Sequence, residues 1–154
     1  MRLTAPASTR QLDLGLTVLR AVTGLIFAAH GAQKLFVFGF DGVAGAFGGM
    51  GVPLPGIVGP AVALVEFFGG LALIVGLLTR LASAGLAATM LGAITLVHLS
   101  AGFFSPNGIE FPLALAGAAD TLILTGAGRW SLDGRLAGRV TEPSADVRPM
   151  RRAA

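Results

Sequence analysis

The 154-residue chain has no cysteine and no tyrosine, one tryptophan and two histidines. Without cysteine it carries no disulfide, no thiolate zinc site, no cysteine-ligated iron–sulfur cluster and no dithiol redox chemistry of its own. Charge is also scarce. Eleven Lys and Arg and eight Asp and Glu make up 12% of the residues, against about 25% in a typical soluble domain. That is too little to clothe a water-facing surface. No G-x-S-x-G, G-x-x-x-x-G-K-[ST] or H-E-x-x-H pattern occurs, so the common nucleophile-elbow, phosphate-loop and zinc-protease signatures are missing. The 23 glycines follow no G-X-Y period, which excludes collagen.

What remains is mostly apolar. The chain is 54% hydrophobic with a mean hydropathy of +0.80, ample for a packed body, and its length suits one domain. The pI of 11.1 resembles a nucleic-acid signal, but the positions of the charges argue otherwise. Of 19 charged side chains, seven lie between Leu14 and Gly128: Arg20, Lys34, Asp41, Glu66, Arg80, Glu110 and Asp120. The others crowd the two ends. Basic ends flanking an apolar body point to a lipid bilayer as the partner and away from nucleic acid.

A membrane helix needs about 20 apolar residues to cross about 30 Å of hydrocarbon. Four stretches qualify, at about 14–36, 57–78, 81–103 and 111–127, the last one short, with Trp130 beyond it as an interfacial anchor. Residues 37–56 are rich in Gly and Pro and predict a loop that caps or re-enters the bundle. Thr79-Arg80 predicts a tight hairpin, and Ser105-Pro106-Asn107-Gly108 predicts a turn. Arg2 and Arg10, then Arg80, then Arg129, Arg135, Arg139, Arg148, Arg151 and Arg152 alternate with connections poor in Lys and Arg. The positive-inside rule places both termini in the cytoplasm, and Arg20 inside the first apolar stretch argues against a cleaved signal peptide. The expected fold is all-α, an integral-membrane antiparallel four-helix bundle over residues 14–128. A cytoplasmic segment 1–13 precedes it, and a basic tail 129–154, disordered from about Thr141, follows. Gly59, Ala63, Glu66, Gly70 and Leu77 on the second span, and Ala84, Ala87, Leu91 and His98 on the third, read as inward faces.

Ionisable residues at membrane depth face a partner or a cavity. Arg20 and Asp120 lie at matching depths, roughly 9 and 10 Å from the cytoplasmic side at 1.5 Å per residue, and predict a structural ion pair. Toward the outer side His30, Gln33 and Lys34 end the first span, Glu66 sits in the second, His98 in the third, and Glu110 opens the fourth. Glu66 is the deepest, and its candidate partners are Lys34, His30 and His98. Each also has a plain packing role: a buried hydrogen-bonded histidine, or a lysine snorkelling to the headgroups. Two histidines with one carboxylate can ligate a metal, but no close-spaced histidine motif supports that here, so no metal is expected.

In order and spacing the chain resembles the DoxX family of small bacterial membrane proteins. The resemblance rests on Arg20-x3-Gly24, His30-Gly31-x2-Lys34, Phe47-x2-Met50-Gly51-x-Pro53 and Glu66-x2-Gly69-Gly70. Gly76-x2-Thr79-Arg80 and Gly126-x-Gly128-x-Trp130-Ser131-Leu132-Asp133 complete it. It covers about residues 12–135. His98 and Asn107-Gly108-x-Glu110 are also family-like. The resemblance implies a four-helix protein of the bacterial inner membrane, in a family often named as oxidoreductases though most members have no established activity. Related proteins form the membrane part of a thiosulfate:quinone oxidoreductase that needs a second subunit or domain, and another relative is described as linking a superoxide dismutase and a sulfurtransferase in an oxidative-stress system. It therefore implies a quinone as cofactor, with His30 and His98 bonding or protonating its carbonyl oxygens. Glu66 would exchange protons with the outer side, and Lys34 would hold developing negative charge. No flavin, haem or iron–sulfur signature is present, so electrons would come from a substrate or a redox partner subunit. The rival reading is a scaffold whose basic tail recruits partner proteins or anionic lipids. A solute path finds no support in inverted repeats or broken helices.

Overall fold

The computed structural model describes residues 7–140. Arg2 and the far tail, with Arg148, Arg151, Arg152 and the expected disorder from Thr141, lie outside the described residues. Among the described residues all regular structure is helical.

Helix α1, Thr9–Ala32, opens with a capping box: Ser8 Oγ accepts from Gln11 N at 3.3 Å and Gln11 Oε1 accepts from Ser8 N at 2.8 Å. It runs into a π-helical turn, Gln33–Phe38, and then α2, Gly39–Gly49. The loop expected over 37–56 is thus largely helix, which corrects the sequence reading. Gly39 at φ 66° does interrupt the α geometry, a conformation glycine adopts without strain. A Gly- and Ala-rich segment has weak intrinsic helicity, and docking supplies what propensity lacks. Val43 of α2 is buried, and its Cγ1 lies 3.0 Å from where a Cβ on Gly59 would stand.

Helix α3, Pro55–Val75, begins with proline in the first turn, where its missing N–H costs nothing. The turn after it is Gly76–Leu78, and Thr79 and Arg80 already belong to α4, Thr79–Ala93. The hairpin is therefore placed slightly earlier than the sequence suggested, because Gly76 takes the left-handed φ of 70° that ends α3. A second π-helical turn, Ile94–His98, and a 3₁₀ turn, Leu99–Ala101, extend α4. Helix α5 is Glu110–Thr125, and α6 is Leu132–Val140.

Three helical stretches are long and apolar enough to cross a membrane: Thr9–Gly49, Pro55–Val75 and Thr79–Ala101. Helix α5 has 16 residues, about 24 Å at 1.5 Å per residue, shorter than a full crossing.

Helix α1 packs chiefly on α3, α4 on α5, and α3 also meets α2 and α4. Small residues bring α1 and α3 together. A Cβ on Gly70 would stand 2.4 Å from Ala28 N, and one on Gly24 would stand 2.6 Å from Gly70 O. Lipid supplies no hydrophobic force between helices, so such close backbone approach is what holds them. Phe27, Leu73, Leu86, Met90, Leu115 and Leu122 form the core. Leu25, Phe36, Val37, Phe68, Leu81, Leu91 and Leu124 point outward, as a lipid-facing surface requires.

The inward face of α3 carries Gly59, Ala63, Glu66 and Gly70 as expected, with Leu73 in place of the outward Leu77. On α4 the inward face is Thr79, Ser83, Leu86 and Met90, and the expected stripe through Ala84 and Leu91 faces out. A helix apolar all round carries little amphipathic signal to fix its rotation. The inward side is marked instead by its two small hydroxyl residues.

Candidate functional site

The Lys34–Glu66 group is built on the α1–α3 contact. At Gly31 the two backbones approach so closely that a Cβ would stand 2.3 Å from Phe67 N. Three residues on, in the π-helical turn, Lys34 Nζ donates to Glu66 Oε2. This is the sole ion pair among the described residues, and its side chains are 19% and 6% exposed. A lone charge at such a place costs several kcal/mol, and a hydrogen-bonded opposite charge offsets much of that cost. Phe67 stacks edge-on against Phe36 at 5.5 Å and against Phe68 at 5.1 Å. These rings flank the pair in sequence, Phe36 two residues past Lys34 and Phe67 and Phe68 directly after Glu66.

The histidines divide. His30 is exposed, one helical turn before Lys34, with its ring 6.3 Å from that of Phe111 on α5. His98 ends the second π-helical turn, and its Nδ1 lies 2.7 Å from Asn107 O. It anchors the loop leading into α5. Of the four expected site residues, Lys34 and Glu66 meet directly, His30 packs on Phe111 one helical turn before Lys34, and His98 is committed to the loop. No group of three or more His, Asp or Glu residues that could hold a metal ion occurs among the described residues. At the start of α5 Glu110 Oε1 accepts from Ser105 N at 2.7 Å, which ties the same loop to the helix.

The expected Arg20–Asp120 pair does not form. Arg20 is buried, while Asp120 is exposed on α5 and has no salt bridge among the described residues. Arg20 Nη1 donates to Leu73 O at 3.0 Å and Ile74 O at 2.6 Å, and Nη2 donates to Trp130 O. The reason lies in helix ends. The last carbonyls of a helix lack intrahelical partners and carry the negative end of its dipole, so the C-terminus of α3 offers a fixed acceptor set to a planar guanidinium.

Asp133 entered the sequence reading only as the end of the Trp130-Ser131-Leu132-Asp133 motif, with no role attached. Its Oδ1 and Oδ2 accept from Leu78 N and Thr79 N, each at 2.8 Å, and its own N–H donates to Gly76 O at 2.8 Å. It thus caps α4 from a distant part of the chain. The available signal was the start of α4 itself: its N-cap position is Leu78, which has no side-chain acceptor. Partial burial pushes the Asp133 carboxyl up. The N–H groups of Thr79 and Leu78 and the charge of Arg20 outweigh that and hold it below its ordinary value. Asp13 Oδ1 likewise accepts from Arg129 N at 2.9 Å. Trp130-Ser131-Leu132-Asp133 is therefore a clasp that joins α1, the α3–α4 turn and the chain after α5.

Comparison with known proteins gives concordant results. The family model described as DoxX matches residues 15–99, and the one described as TQO small subunit DoxD matches residues 60–148. The chain is 35% identical over 124 residues to "Putative oxidoreductase CatD" of Bacillus subtilis, covering 80% of this chain and 88% of that protein. It is 36% identical over 137 residues to an uncharacterized membrane protein of Mycobacterium tuberculosis, covering 80% and 82%. With the inner membrane protein YqjF of Escherichia coli it shares 33% identity over 123 residues, covering 79% and 91%. No solved structure matches.

Proposed function

Since this chain belongs to the DoxX family of membrane proteins, we propose that it is a quinone-associated component of a membrane oxidoreductase. It sits in the bacterial inner membrane as a four-helix antiparallel bundle, with α5 as the short fourth member and both termini cytoplasmic. The basic residues support that orientation. Arg80 Nη2 reaches Leu124 O at the end of α5, beside the clasp that carries Arg129 and Arg135. These three cations thus share one end of the bundle.

The observation that carries the functional reading is the part-buried Lys34–Glu66 pair, with Phe36 and Phe67 beside it in sequence and packed on each other. A quinone head is a flat apolar ring with two carbonyl acceptors. Lys34 and His30 are cationic or N–H donors, and Phe36, Phe67 and Phe111 offer ring surfaces, so the donor set fits such a group. A bound quinone supplies two-electron acceptor chemistry. Lys34 holds a positive charge and a proton at Nζ, where it can bond a carbonyl oxygen and balance negative charge developing there. Glu66 Oε2 accepts a hydrogen bond from that Nζ and is the group with which it would exchange a proton. His30, at the exposed edge, exchanges protons with the outer side, and His98 positions the loop that brings Phe111 against His30. Electrons arrive from a separate donor subunit or substrate. The match to a family named as a small subunit supports a partner.

The test is solvent extraction of purified protein followed by chromatography for isoprenoid quinone. Wild type is compared with Glu66→Gln and with Lys34→Gln/Glu66→Gln, which leaves no unpaired charge; size-exclusion profiles verify folding. Near-stoichiometric quinone in the wild type, lost in the folded variants, is the expected result. Absence of quinone from folded wild type overturns the reading and leaves the scaffold alternative.

A further inference from the structure

The clasp presents a second feature, on the opposite end of the bundle from Lys34. A cleft of about 360 Å³ opens beside Trp130, lined by Val75, Arg129, Trp130, Ser131, Leu132 and Arg135. Its two halves differ in chemistry. Val75, Trp130 and Leu132 are outward-facing apolar side chains, and Val75 ends the lipid-facing side of α3. Arg129 and Arg135 form the other half, are exposed, and have no salt bridge among the described residues. Two acids near the cleft accept from backbone N–H groups. Asp133 accepts from Leu78 N and Thr79 N, and Asp13, which lines a neighbouring cleft with Arg10, accepts from Arg129 N. A tryptophan at the membrane interface beside two unpaired guanidiniums, continuous with an apolar helix face, matches a ligand that is anionic at one end and aliphatic at the other.

We propose that this cleft binds the headgroup of an anionic phospholipid. Arg129 and Arg135 hold the phosphodiester, and the glycerol end of an acyl chain lies on Trp130, Val75 and Leu132. The guanidinium suits this task because its planar donors match phosphate oxygens in pairs. This site is separate from the quinone reading and stands or falls independently of it.

Trp130 is the only tryptophan in the chain, so its fluorescence reports on this cleft alone. The full-length protein is reconstituted in phosphatidylcholine nanodiscs containing a minor fraction of brominated phosphatidylglycerol or, in parallel, brominated phosphatidylcholine. Bromine quenches the indole on contact. The expected result is quenching by the anionic lipid at a mole fraction roughly fivefold or more below that needed for the zwitterionic one. Arg129→Gln/Arg135→Gln should abolish the preference, and Arg129→Lys/Arg135→Lys should keep most of it. The backbone bond from residue 129 to Asp13 survives both changes, and an unchanged melting temperature verifies that the clasp is intact. Equal quenching by both lipids, or a preference that persists in the Gln variant, overturns the proposal. So does full relief of quenching by millimolar glycerol phosphate, which would assign the cleft to a soluble phosphate.

Discussion

Gly31 of α1 lies against Phe67 of α3, so close that a Cβ on residue 31 would stand 2.3 Å from the Phe67 nitrogen and 2.6 Å from its Cα. Glu66 directly precedes Phe67, and Lys34 lies three residues past Gly31. The absence of one side chain therefore sets the distance across which the charge pair closes. Gly31→Ala must push the helices apart, because the obstructing atoms are backbone. A loss of about 1–3 kcal/mol is expected, read as a lower melting temperature in detergent. Gly15→Ala, with no atom within 4 Å of the added methyl, is the control and should be neutral or stabilising by up to about 1 kcal/mol.

The Lys34–Glu66 pair should show strong non-additivity. Removing one partner strands a charge in a low-dielectric site and costs about 3–5 kcal/mol, whereas replacing both with apolar residues of similar volume costs far less than the sum. Glu66→Leu, Lys34→Met and the double variant, compared by unfolding in mixed micelles, form the cycle. Additive losses would mean that the two side chains do not interact in the folded protein.

Arg20 and Asp120 should behave as unrelated residues. Arg20→Lys cannot span Leu73 O, Ile74 O and Trp130 O together, so it should loosen the clasp and make the chain near Trp130 a protease target. Asp120→Asn should leave stability within about 0.5 kcal/mol of wild type. Limited proteolysis of vesicles beside melting temperatures separates the two. Equal damage from both substitutions would restore the ion pair that the sequence suggested.

Asp133 confers a pH dependence with a defined sign. Its folded carboxyl titrates below its unfolded value, which is about 3.9 for an aspartate. Its stabilisation is therefore fully present above about pH 5 and is lost as pH falls through the folded pKa. Asp133→Asn should lower stability by about 1 kcal/mol at neutral pH, as loss of a helix cap does. Melting curves of both proteins should converge toward pH 3, and a gap that widens on acidification would contradict the capping role.

Much of the fold is legible in the residues because membrane crossing imposes a length and a composition. Hydropathy located the three long helical stretches and the short α5, and polar residues at depth pointed to Lys34 and Glu66. Rotation about each helix axis was less legible. Helix α4 carries apolar residues on every side, so Leu86 and Met90 could not be told from Ala87 and Leu91 by pattern. Helix α2 was hidden because its stability comes from docking Val43 beside Gly59, which propensity does not register. The partner of Arg20 was misread for a related reason. Charge invites a search for the opposite charge, whereas the acceptors at the end of α3 are backbone carbonyls, present at every helix terminus and invisible in composition.

The Arg20 clasp also bears on how the protein is made. Arg20 and Trp130 are 110 residues apart in sequence, and a ribosome adding about 5–20 residues per second needs on the order of ten seconds to cover that interval. During that time the first helix enters the bilayer with a guanidinium whose final acceptors have not been synthesised. Leu73 and Ile74 arrive first, and Trp130 closes the set only after α5 has been made. Assembly is therefore ordered by translation. Any truncation ahead of Trp130 leaves a charged first helix without its third acceptor, a form that membrane quality-control proteases can distinguish from the finished protein.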